Sequence, residues 1–134
     1  MPIRHRDVIL TIPYDLLLSI DKAKADPVLG PVFAENAVMF GSDNPDHEQL
    51  TLCVFLMYEW QKGKEGKWWP YIDLMPEVTF FCDWAPSAVH ATQDEGLMKD
   101  AVEFKGQLET EWNLLLSILR MYVGKVFKPA TLKR

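Results

Sequence analysis

The most restrictive feature of the chain is an apolar stripe between Gln93 and Val123. Leu97, Ala101, Phe104, Leu108, Trp112, Leu115, Leu119 and Tyr122 recur at steps of three and four residues. That period places all eight side chains on one face of an α-helix. At 1.5 Å per residue the helix is about 40 Å long. Gly106 lies inside it at a cost of about 1 kcal/mol against alanine. Gly124 is a natural C-terminal stop, and Pro129 prevents regrowth. A helix this long with one apolar face needs other elements to cover that face.

A second helix precedes it in the sequence. Asp46 to Gln61 follows the turn cluster Gly41-Ser42-Asp43-Asn44-Pro45. Asn44 suits the cap, Pro45 the first turn, and Asp46 and Glu48 the positive helix end. From Leu50 to Trp60 the pattern is apolar nearly all round, which predicts burial on most sides with Cys53 as a small core residue. Val8 to Pro13 is β-branched and reads as a strand. Leu16 to Ile20 is apolar and fits either type. Asp26 and Pro27 suit the cap and first position of a short helix, which Gly30-Pro31 interrupts or limits to two turns. Lys62 to Lys67 is a charged loop, and the prolines at 70 and 76 bracket room for a single helical turn. Val78 to Trp84 is a short apolar stretch. Pro86 to His90 reads as a small helix. The expected fold class is mainly α with a short β element, in one domain.

Composition narrows the function. The net charge is −5, and an acidic chain is a poor nucleic-acid binder, because phosphate recognition needs a cationic surface. No apolar run reaches the 18 or so residues of a membrane span, and the apolar stretch after the basic start is too short for a signal peptide. Two cysteines, Cys53 and Cys82, form no secreted disulfide framework, which favours an intracellular setting, cytoplasmic or nuclear, with an organellar one left open. His5, His47 and His90 are scattered, with no metal-ligand spacing. Gly63 and Gly66 are separated by two residues, and Trp68 stands where a phosphate loop needs a hydroxyl, so Lys62 to Lys67 is a surface turn. Trp68, Trp69 and Trp84 fit either a core cluster or a binding face.

The order of segments carries more than any one of them. From Arg6 to about Val123 the chain resembles the SET-domain protein N-methyltransferases of the Rubisco large-subunit and actin-histidine methyltransferase type. The matching stretches are Asp7 to Pro13 with Leu16-Leu17, then Val28-Leu-Gly-Pro-Val-Phe33, then the helix from Glu48 to Trp60. The strongest is Trp68-Trp-Pro-Tyr-Ile-Asp-Leu-Met-Pro76, similar to the family's Trp-x-Pro-Tyr-(Ile/Leu)-x-x-Leu-Pro, followed by Trp84 and the long helix.

The resemblance implies a partial SET domain. Residues 1–40 would be the end of its N-terminal segment, with one or two strands, and 41–134 its helical insert. It implies a substrate-facing motif of Trp68, Pro70, Tyr71, Pro76 and Trp84, with Asp21 at a position that touches the cofactor. The complete family protein uses S-adenosylmethionine to methylate a protein lysine or histidine. The family's Gly-x-Gly strand, its Asn-His pair and its late catalytic tyrosine segment have no counterpart here; Asn36, Asn44 and Asn113 precede Ala37, Pro45 and Leu114. Methyl transfer depends on in-line alignment of donor and acceptor, so these residues alone are expected to bind no cofactor and to be inactive. No catalytic residue and no metal ligand is assigned. The alternative is a non-catalytic, SET-derived helical interaction module or assembly subunit. Either way the expected partner is a protein, not nucleic acid or a membrane.

Overall fold

The computed structural model describes residues 4–77 and 79–132. The chain divides into two compact units, the first ending at Phe55 and the second beginning at Leu56.

In the first unit, Tyr14–Leu16 forms a 3-10 turn. It is followed by α1 (Ile20–Ala25), α2 (Leu29–Glu35), α3 (Ala37–Phe40) and the start of α4 (His47–Lys62). Ser19 caps α1 by accepting from the Lys22 amide at 3.4 Å. Asp26 serves α2, but the helix begins at Leu29 and not at Pro27. Asp26 Oδ1 accepts from the amides of Val28 and Leu29, both at 2.9 Å. Helix α2 is not interrupted by Gly30 and Pro31. Pro31 sits in the first turn, where an N–H would have no intrahelical acceptor. Gly30 is needed there, because a Cβ would lie 2.6 Å from the Lys24 carbonyl oxygen. Helices α1 and α2 pack together, as do α2 and α3. The buried set includes Ala23, Leu29, Val32, Phe33, Met39 and Phe40. The Phe33 and Phe40 rings meet edge to face, 4.9 Å between centroids, a favoured geometry for the ring quadrupoles.

The strand expected at Val8 to Pro13 does not form. This run has no regular structure, and Val8, Ile9 and Leu10 are 82%, 75% and 73% exposed. A strand is held by hydrogen bonds to a neighbouring strand, and none of the described residues pairs with this run. Among them the one β feature is an isolated parallel bridge between Val123 and Phe127. The chain is mainly helical with little β structure, as expected.

The second unit continues from α4 through a 3-10 turn at Gly63–Glu65 to α5 (Trp69–Ile72) and a 3-10 turn at Phe81–Asp83. Then come α6 (Pro86–Ala91), α7 (Glu95–Leu119) and a 3-10 turn at Arg120–Tyr122. Val78, in the short apolar stretch, lies outside the described residues. The single turn between the prolines and the small helix at Pro86 are as expected. Asp94 caps α7, its Oδ1 accepting from the Leu97 amide at 3.0 Å. The eight stripe residues are all buried or half-buried, with Ala101, Leu115 and Leu119 innermost. Helix α7 packs against α6 and the Phe81–Asp83 turn, where the Phe81 and Phe104 rings stack 5.7 Å apart. Gly124 ends the run in the left-handed region, at φ +83°, where glycine carries no steric penalty.

Helix α4 is not enclosed all round. Its buried residues are Thr51, Val54, Phe55 and Glu59, a stripe at helical spacing. Cys53 lies off that stripe and is exposed, not a core residue. Packed protein on its inner side nevertheless desolvates the thiol and pushes its pKa up.

Candidate functional site

Three places in the structure gather side chains of interest. The first is Asp21 on α1. It is exposed, and one carboxylate oxygen accepts from the Tyr14 hydroxyl at 3.4 Å. The neighbouring Lys22 ammonium donates to the carbonyls of Tyr14 at 2.5 Å and Leu17 at 2.8 Å, and lies 4.9 Å from the Tyr14 ring centre. These contacts fasten the turn preceding α1 onto the helix. An exposed carboxylate held by a tyrosine hydroxyl forms no enclosing wall among the described residues. Asp21 and its surroundings therefore do not fit an adenosyl cofactor by themselves, and we assign no step to one.

The second place is the proline-bracketed motif. Trp68 is half-buried at the N-terminal end of α5, with the Lys67 ammonium 5.5 Å from its ring centre. Pro70 sits in the first turn of α5, where its fixed φ suits the helix start. Tyr71 and Pro76 are exposed. The neighbours of these residues, rather than the residues themselves, line a hollow of about 350 Å³: Ile72 and Met75 face Leu56, Met57 and Trp60 of α4. Trp84 belongs to a separate hollow of about 340 Å³, formed with α6 and α7. The structure thus does not gather the five motif residues into one site.

The third place carried no signal in the sequence. Gln61, at the end of α4, holds the segment after Gly124. Its Nε2 donates to the Val126 carbonyl at 2.7 Å, while its Oε1 accepts from the Lys128 amide at 2.9 Å and the Thr131 hydroxyl at 3.0 Å. The Lys128 ammonium donates to the Gln61 carbonyl at 2.9 Å. Phe127 is buried at this clamp, edge-on to Tyr58. Two residues earlier on α4, Glu59 is 3% exposed. Its Oε1 accepts from Lys62 at 2.5 Å, and the Lys62 ammonium also lies 3.9 Å from the Tyr58 ring centre. Glu59 Oε2 has no hydrogen-bond partner among the described residues. The same surface borders an open hollow of about 520 Å³. Its Lys62 and Lys128 are already engaged, so it is a structural joint more than a recognition site.

Among the described residues, no three His, Cys, Asp or Glu side chains gather as a metal site requires. No helix among them is long and apolar enough to cross a membrane. What the arrangement offers chemically is apolar surface with aromatic edges. Comparison with protein-family models, with curated proteins and with solved structures finds no match to this chain.

Proposed function

We propose that this chain is part of a SET-family protein N-methyltransferase, which transfers a methyl group from S-adenosylmethionine to a protein lysine or histidine. In this reading the chain supplies protein-contacting surface, and the cofactor-binding and catalytic groups lie outside these 134 residues. The observation that carries the reading is the exposure of the motif region. Tyr71 of the motif is 54% exposed and Trp84, which follows the motif, 43%, so two aromatic side chains of the resemblance are open to contact with a protein substrate. Aromatic side chains concentrate contact energy at protein interfaces. Both cysteines are free, which goes with an intracellular setting, cytoplasmic or nuclear. The test is a methylation assay on the full-length gene product, with labelled S-adenosylmethionine and cell extract. The expected result is a labelled protein band that weakens when Tyr71 and Trp84 are both changed to alanine. No labelled product from any extract overturns the reading.

A non-catalytic interaction module is the second reading. The exposed apolar side chains of Val8, Ile9, Leu10, Ile12 and Leu16 favour it, because apolar surface left open on a chain often finds a partner. Size-exclusion chromatography with light scattering separates the two readings. The module reading requires a defined oligomer or complex, and a clean monomer that binds no partner counts against it.

A further inference from the structure

We infer that the hollow beside α7 is a binding site for an apolar chain that ends in a carboxylate, of the medium-chain fatty-acid class. Its walls include Phe81, Trp84, Val89, Met98 and Ala101, and among the described residues its one charged lining residue is Lys105. Lys105 follows Ala101 by one turn of α7. Ala101 is buried and Lys105 exposed, so the charge stands at the rim while the floor is hydrocarbon and aromatic. The other lysine in the first half of α7, Lys99, is paired with Glu103 at 3.6 Å. Lys105 has no ion-pair partner among the described residues. Phe81, one of the wall residues, stacks on Phe104 of α7 with ring centres 5.7 Å apart.

A volume of about 340 Å³ falls in the range of small-molecule sites, which are mostly apolar with a few placed polar groups. An unpaired cation at the rim of an apolar hollow is complementary to an amphiphile with one negative end. A neutral hydrocarbon would use the walls and leave the ammonium idle.

The test is calorimetric titration of the full chain with decanoate and, separately, with 1-decanol, both below the concentration at which they self-associate. The expected result is saturable 1:1 binding of decanoate, tighter than decanol. Lys105→Gln should weaken decanoate about fivefold, the size of one partly exposed charge pair, and leave decanol unchanged. Lys99→Gln should change neither. Ala101→Phe fills the hollow and should abolish both, with circular dichroism showing that α7 is retained. The inference is overturned if decanoate shows no saturable binding, or if Lys105→Gln weakens decanoate and decanol equally.

Discussion

Replacing Gln61 by alanine removes three side-chain hydrogen bonds at once, to the Val126 carbonyl, the Lys128 amide and the Thr131 hydroxyl. A hydrogen bond contributes about 0.5–1.5 kcal/mol net, because water replaces the lost partner wherever it can reach. Lys128 is exposed, so its amide recovers most of its loss. Thr131 is buried and Val126 half-buried, and these two do not. The expected cost is therefore about 2 kcal/mol, two such bonds at about 1 kcal/mol each. Gln61→Met keeps the length of the stem and removes the same polar atoms, so it should cost nearly as much. The assay is urea unfolding of all three proteins, with hydrogen exchange read at the Lys128 amide. A loss below about 0.5 kcal/mol in both variants, with unchanged exchange at Lys128, refutes the clamp. A loss in the alanine variant alone means that the stem's packing holds the segment and the hydrogen bonds do not.

Four further outcomes are expected. Leu119→Ala, at a fully buried position of the stripe, should cost about 2–5 kcal/mol in a denaturant melt, the range for a large core truncation. Asp94→Ala removes the cap of α7 and should cost about 1 kcal/mol, with Asp94→Asn largely restoring it in thermal melts followed by circular dichroism. Thr51 is fully buried, and its hydroxyl has no partner among the described residues; Thr51→Val should therefore stabilise the fold by about 1 kcal/mol in urea. For Cys53, burial raises the folded pKa above the unfolded thiol's. The folded state then holds the proton more tightly, so the stability that this thiol contributes is present below the unfolded pKa and is lost as pH rises through the folded one. Alkylation should follow the same direction, with Cys53 reacting ahead of buried Cys82 but needing a higher pH than a free thiol. Equal rates for the two cysteines would contradict their exposures.

The periodic signals were legible because a helix writes its buried face into the sequence at a fixed step. Leu97 through Tyr122 announced α7 and Pro86 announced α6, while Asn44-Pro45 marked the turn before α4, which begins at His47 and leaves Pro45 outside its first turn. The motif from Trp68 to Pro76 showed its single turn through its prolines. Val8 to Pro13 misled, because β-branched residues mark a preference for a pleated surface and not the presence of a partner strand. Cys53 misled because a helix that is apolar on every side does not say which side its neighbours cover.

The residues alone were enough to locate the main helices and their stops, and to show an acidic, Trp-rich chain with no metal or nucleophile motif. They could not say that Gln61 meets Val126, Lys128 and Thr131, since those contacts join residues 65 to 70 positions apart. Nor could they place Trp84 in a hollow with Lys105, or Glu59 on the buried face of α4. Those facts came with the packed fold. Backbone periodicity is a local property, written within a turn or two, whereas contacts between distant side chains depend on how whole helices pack, which no short window contains.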